Sequence, residues 1–243
     1  MALIDSLVSY YKMDEASGDR ADAHASNTLT DSASGVGVGT AKLGANASAF
    51  VAADSDYFIA SGSTVFDVTT GDFSFAFWIN SADPATGARI LWKRVTATGQ
   101  GYYVTINASD QIFVGIADAG GTNYREGNGS TDIADGTYHH VVITWTGSTD
   151  ATTIHVDGGA NEYTSSSSVG TVGDITNAET FQMGRDGSGV AYLTGTIDEV
   201  GFWTKVLSST EISDLYNAGA GFAYPFTAAA GPVRRRMMTG VGA

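Results

Sequence analysis

The sequence predicts an all-β protein, a two-sheet antiparallel sandwich with one short C-terminal helix. Three observations carry this. Glycine is abundant (31 of 243 residues) and proline rare (3), with Ser, Thr, Asp and Asn frequent, a composition that suits short strands joined by tight turns. Bulky residues recur with period two, most clearly where Phe73, Phe75 and Phe77 alternate with Ser74, Ala76 and Trp78. No strand–helix–strand alternation is present, so the pattern asks for antiparallel pairing.

Each element follows in order. Leu7 to Met13 reads as a first strand, and the Asp-, Ser-, Ala- and Gly-rich stretch from Asp14 to Gly44 as a long loop. Ala49–Val51 and Tyr57–Ile59 flank a turn at Asp54-Ser55-Asp56. After the Phe73 strand comes Ile90–Arg94, then a hairpin of Tyr102–Asn107 and Gln111–Ala117 turning at Ala108-Ser109-Asp110. The Gly- and Asn-rich run GGTNYREGNGS around Tyr124 reads as an exposed loop. Tyr138–Thr146 pairs with Thr153–Val156. Within it His139 and His140 are expected on opposite faces, with Trp145 in the core. Thr180–Gly184 and Ile197–Trp203 complete about ten to twelve strands. The helix follows, with Ile212, Leu215 and Tyr216 at helical spacing. Ser208 or Ser209 is its N-cap and Glu211 completes a capping box.

Charge narrows the partners. Twenty-six acidic residues against 12 basic ones give a net charge of −14, which argues against nucleic acid and against an anionic membrane surface. Neutral glycans and bound cations suit such a surface. The absence of cysteine excludes disulfides and thiol chemistry. The N-terminus lacks the basic region and apolar run of a Sec signal, and no apolar run reaches membrane-spanning length.

Six segments, in order, carry a family resemblance: YYKMDEASG, DYFIASGS, GDFSFAFWIN, TYHHVVITWTGSTDATTIHVDGG, FQMGRDGSG and GTIDEVGFWTKVLSSTEISDLYNAG. Over about residues 5–219 the chain resembles the laminin-G-like, or pentraxin-like, jelly-roll domains of the concanavalin A-like lectin/glucanase superfamily. The resemblance implies a jelly-roll sandwich over residues 1–222 and a binding role. It also implies one structural Ca²⁺ near the N-terminal segment and the closing strand. A hard cation takes several oxygen ligands, and the matching positions are Asp22, Asn27 and Asp198, with Asp56 a further one. The early loop ADAHASNTLTDSASG departs from the family's DxSGxxNxG spacing. Residues 223–243 are expected to form a tail, extended or docked on a partner through Arg234, Arg235 and Arg236.

Catalytic patterns are missing. Retaining glycosidases of this superfamily place two carboxyl groups on one side of a strand, about 5 Å apart. Asp198 and Glu199 are adjacent and are expected to face opposite ways. GxSxG, HExxH and zinc spacing are absent. A sugar site uses aromatic rings beside hydrogen-bonding side chains. The first choice is Tyr124 with Arg125 and Asn128, followed by Trp92 with Arg94, and Tyr192 after Arg185-Asp186.

The expectation is therefore a non-catalytic glycan-binding or attachment module. Laminin-G-like domains act outside cells, yet this chain starts without an export signal, as a phage virion component assembled in the host cytoplasm would. A homo-oligomeric capsid decoration, tail or fibre part fits, and a purely structural role without sugar binding is the alternative.

Overall fold

The computed structural model describes residues 2–32, 34–60, 64–82, 84 and 87–226. In chain order its strands are β1 (Leu7–Tyr11), β2 (Thr30–Asp31), β3 (Gly37–Gly39), β4 (Ala47–Phe50), β5 (Phe58–Ala60), β6 (Phe73–Asn80), β7 (Arg89–Arg94) and β8 (Gly101–Ile106). They continue as β9 (Gln111–Ala117), β10 (Tyr124–Asp132), β11 (Tyr138–Thr146), β12 (Ala151–Val156), β13 (Thr164–Val169), β14 (Phe181–Met183) and β15 (Gly195–Trp203), followed by helix α1 (Ser209–Tyr216). All pair antiparallel in two sheets. One runs β12-β11-β6-β15-β4-β3, with β1 also on β15; the other runs β13-β10-β9-β8-β7-β14-β5-β2. No helix among the described residues is long and apolar enough to cross a membrane.

Period-two writing explains the core. Phe73, Phe75, Phe77 and Ile79 of β6 and Val141, Ile143 and Trp145 of β11 point inward. There they meet Tyr102, Val104 and Ile106 of β8 and Ile112, Val114 and Ile116 of β9. Aromatic pairs fill the gap, with Phe75 and Phe202 centroids 4.6 Å apart and Phe66 and Phe181 4.2 Å apart.

The alternate residues of β6 are buried too, because a second apolar layer covers that sheet from outside. Leu7, Tyr10, Ala76, Val142 and Trp203 pack beneath Ile212 and Leu215 of α1 and beneath Phe226. The helix starts as the sequence requires. Ser208 Oγ accepts from the Glu211 N–H, and the Glu211 carboxylate accepts from the Ser208 N–H at 3.0 Å. After the helix the chain returns over the same layer. Tyr224 lies 5.5 Å from the Tyr10 ring, and Phe226 is 5% exposed. The packed body thus runs at least to Phe226, beyond the expected boundary at residue 222. Arg234, Arg235 and Arg236 lie outside the described residues.

The two histidines alternate as expected, and both have structural partners. His139 bonds Asp157 at 2.8 Å and Asp135 at 3.2 Å. His140 lies on the outer side against Trp78 and Tyr216. Burial, followed by the charge of Lys42, pushes its pKa down to about 3.

Several expectations fail: the stretch from Asp14 to Gly44 read as a loop holds strands β2 and β3, and the described residues form fifteen strands against the expected ten to twelve. The GGTNYREGNGS run is no exposed loop: Tyr124–Asp132 is strand β10, held between β9 and β13. Nor do Asp198 and Glu199 face opposite ways. A bulge in β15 between Asp198 and Gly201 breaks the alternation, with Glu199 at φ 51°. Asp198 pairs with outward-facing Trp78, and Glu199 takes a 2.5 Å hydrogen bond from the hydroxyl of Tyr10, a member of the outer layer. Both carboxylates therefore sit buried on the covered side.

Candidate functional site: the open face of the eight-stranded sheet

Among the described residues, no layer comparable to that of α1 covers the outer face of the second sheet. Cross-strand register builds it in rows. Trp92 of β7, Tyr103 of β8, Gly115 of β9 and Glu126 of β10 form one row, with Gln182 of β14 on the far side of Trp92. Beside it run Arg94, Gly101, Ala117 and Tyr124. On the other flank Arg89, Thr105, Phe113 and Asn128 form a third row. Large side chains flank small ones, so the face has a floor and walls. Gly115, Gly101 and Ala117 are the low points.

That relief makes a recess of about 140 Å³, lined by Arg94, Gly99, Tyr103, Ala117, Gly121, Tyr124 and Glu126 among others. Gly115 determines its shape. A Cβ there would lie 2.1 Å from Tyr103 Cε1, so only glycine lets the phenol ring lie across the sheet. The Tyr103 hydroxyl then donates to Glu126 Oε1 at 3.0 Å. Burial first, then the Glu126 charge, raises the Tyr103 pKa, which keeps the hydroxyl a donor. Arg94 stacks its guanidinium 4.7 Å from the Tyr103 centroid while its Nε donates to the Gly99 carbonyl at 2.9 Å. Tyr124, half-buried, contacts Ser167 Oγ at 3.1 Å. The recess thus offers the half-buried Tyr124 ring, a carboxylate acceptor and a guanidinium fork within one hollow, while the Tyr103 ring, 8% exposed and lying under Arg94, forms its wall. The set is able to stack on an apolar ring face and bind hydroxyls around it.

Of the ligand-binding residues expected from sequence, Tyr124, Asn128 and Trp92 share this face. Trp92 is no exposed platform. It is 3% exposed, lies beneath Arg89, and spends its indole N–H on the Arg94 carbonyl at 2.8 Å. Arg125 points away. Its guanidinium donates to Asp150 Oδ2 (2.8 Å) and to the carbonyls of Tyr124, Val169 and Gly170, pinning the β10–β13 edge. Tyr103, Arg94 and Glu126 complete the hollow. Neither Tyr103 nor Glu126 had been singled out, because their convergence depends on the register of three strands.

The four residues expected to hold Ca²⁺ do not form one ligand set. Asp22 and Asn27 meet, but the Asp22 carboxylate is saturated. Oδ1 accepts from the N–H groups of Tyr10, His24 and Ala25, and Oδ2 from the N–H and side-chain amide of Asn27. Burial pushes its pKa up, yet these donors outweigh it and hold the group below its ordinary value. Asp56 bonds Ser34 Oγ and the Val51 N–H. Asp198 Oδ2 accepts from the N–H groups of Lys42 and Leu43, while its Oδ1 is buried without a partner. Among the described residues no three His, Cys, Asp or Glu side chains converge as a metal site. These carboxylates organise loops through backbone N–H donors.

Two antiparallel sheets packed face to face, with one open and one covered outer face, define a jelly-roll domain of the lectin type. The sequence pattern of the concanavalin A-like lectin/glucanase superfamily matches residues 52–213, and the chain belongs to that superfamily. No curated protein sequence matches the chain. Solved structures with the same fold include the binding domain of Paraclostridial Mosquitocidal Protein 1 (TM-score 0.70, 15% identity, covering 89% of this chain and 53% of that one). Another is the botulinum neurotoxin serotype D ligand-binding domain in complex with N-acetylneuraminic acid (TM-score 0.65, 15% identity, 89% and 52%). A third is the binding domain of botulinum neurotoxin DC in complex with SialylT (TM-score 0.62, 15% identity, 88% and 52%). The chain spans about half the length of these structures.

Proposed function

We propose that this protein is a non-catalytic glycan-binding module and that the hollow on the open sheet face holds the sugar. The observation that carries the reading is the convergence of Tyr103, Tyr124, Arg94 and Glu126 around a glycine-floored recess. The Tyr124 ring takes the apolar side of a pyranose, and the charged groups take its hydroxyls. Family membership and the sugar complexes of the structural neighbours support this reading. Glycosidic cleavage by a pair of carboxyl groups needs two of them across the bond. Glu126 is the one carboxylate among the described residues lining the recess. The setting proposed for the module is the surface of a larger particle, as a homo-oligomeric attachment part. Its support is the sequence alone: a run of three arginines on an acidic body.

Affinity electrophoresis through gels containing a panel of polysaccharides tests the reading. Retardation of the wild-type chain by at least one gel, reduced about tenfold in affinity by Tyr124→Ala, is the expected result, since loss of a stacked ring costs on the order of 1.4 kcal/mol or more. Free migration through every gel would sink it and leave a structural decoration role.

A further inference from the structure

Resting on the glycan reading above, a second observation specifies the chemistry of the ligand. This chain has 26 carboxylate side chains and 12 basic ones, so an arginine has ample opportunity to pair with an acid. Arg20, Lys93, Arg125 and Lys205 do so. Arg89, Arg94 and Arg185 form no ion pair within 4.0 Å among the described residues, and all three belong to the open sheet face. Arg89 and Arg94 flank Trp92 on β7, and Arg185 follows β14, bonded to Gln182 of the Trp92 row.

Each is held by an aromatic ring instead of a carboxylate. Arg89 lies 5.2 Å from the Trp92 centroid, Arg94 4.7 Å from Tyr103, and Arg185 3.4 Å from Tyr57. Ring stacking fixes the plane of a guanidinium and leaves its N–H edge for a planar anion. The donors are unspent. Of five N–H groups apiece, Arg94 uses its Nε on the Gly99 carbonyl and Arg185 its Nε on Gln182 Oε1, leaving both terminal nitrogens of each without an acceptor among the described residues. Arg89 donates through Nη1 to Gly87 O and Thr105 Oγ1, while its Nε is buried and unpartnered.

The acids nearby are already engaged. Glu126 Oε1 holds the Tyr103 hydroxyl. Asp186 Oδ1 accepts from the N–H groups of Ser188 and Val190 and from Ser188 Oγ. Two like charges, Arg89 and Arg94, are thus kept beside the same two rings, with Glu126 and Asp186 nearby but no direct ion pair among the described residues, and an anionic ligand would supply one.

We propose that the module's ligand is an acidic glycan, whose carboxylate or sulfate group is taken by the terminal nitrogens of Arg94 at the recess and by Arg185 further along the same face. The net charge of −14 favours neutral glycans as a long-range rule. Locally, three arginines stand against the carboxylates of Glu126 and Asp186, and contact recognition is decided there.

The test compares the full chain in affinity gels containing a uronate polymer (alginate, polygalacturonate), a sulfated one (chondroitin sulfate, dextran sulfate) and neutral ones (dextran, xylan, mannan). The expected result is retardation by at least one acidic polymer at ten times the affinity for any neutral one. Arg94→Gln should lower that affinity at least tenfold, Arg185→Gln less. Arg94→Lys keeps the charge without the fork and should recover only part of the loss. An unchanged circular dichroism melt separates these effects from misfolding. Uronate and sulfate gels identify which anion is read. Equal retardation by neutral and acidic polymers, or full affinity in Arg94→Gln, would overturn the acidic-ligand assignment while leaving glycan binding intact. Retardation by no polymer overturns both.

Discussion

Gly115 has its effect through the side chain it lacks. Because its neighbour across the strand is Tyr103 and its neighbour on the other side is Glu126, the bare backbone lets the phenol reach over one strand to the carboxylate of the next. Gly115→Val should displace that ring. Overpacking of this kind costs about 1–3 kcal/mol, so the protein should remain folded at room temperature while losing polysaccharide retardation at least tenfold. Normal retardation by this variant would show that the recess is not the sugar site. Asn128, one row away beside Phe113, is within the same face but outside the hollow, which distinguishes it from Tyr124 although the sequence places them four residues apart.

At the scale of elements, the β15 bulge stores an unusual pair of acids. Asp198 and Glu199 are both buried, each with one oxygen lacking a partner. Burial, only partly opposed by the Leu43 and Lys42 N–H groups, raises the Asp198 pKa to about 6. Burial, with a smaller contribution from Asp198 and Asp14 and partial opposition from the Tyr10 hydrogen bond, raises Glu199 to about 8. The folded state therefore holds protons that the unfolded chain releases near pH 4 to 4.5. The sign follows: this pair's stabilising contribution is complete below about pH 4 and is lost as pH rises through 6 to 8. His140 works oppositely, since its lowered pKa removes stability as pH falls below its ordinary 6.5. The difference between two proteins isolates the acid. Glu199→Gln, which keeps an acceptor for the Tyr10 hydroxyl, should melt progressively higher than wild type as pH goes from 5 to 8.5, by several degrees at the upper end. A constant gap between the two melting curves would contradict the assignment.

On the scale of the molecule, the two sheets differ in what lies outside them. Among the described residues, helix α1 and the segment from Phe222 to Phe226 cover the seven-stranded sheet, and no such layer covers the eight-stranded one. Phe226→Ala should cost roughly 3–5 kcal/mol for a buried ring, lowering Tm by about 6–20 °C in a domain of this size. Retardation by polysaccharide at 20 °C should be unchanged, because the ring belongs to the layer over the opposite sheet. Reduced sugar affinity in a folded Phe226→Ala protein would show that the two faces are coupled.

Much of this architecture is legible in the chain. Alternating phenylalanines, the Ser208 cap with Glu211, and turn residues between short apolar runs depend on local physics, and each formed where expected. Strand β10 was not legible, because YREGNGSTD has no apolar alternation. It is a strand through its backbone bonds to β9 and β13, and its Gly127 is needed where a Cβ would lie 2.4 Å from the Thr164 carbonyl. The same non-local cause hid the fate of Arg125, whose partners are Asp150 and the carbonyls of Val169 and Gly170.

The two-sheet antiparallel sandwich, its aromatic core and its closing helix are written locally in the chain, because side-chain period and capping act over a few neighbouring residues. Which face stays open, which aromatic rings gather on it, and which arginines lack a carboxylate partner among the described residues are set by the folded arrangement of the strands. Those outcomes arise from cross-strand register, where residues up to tens of positions apart become neighbours about 5 Å from one another.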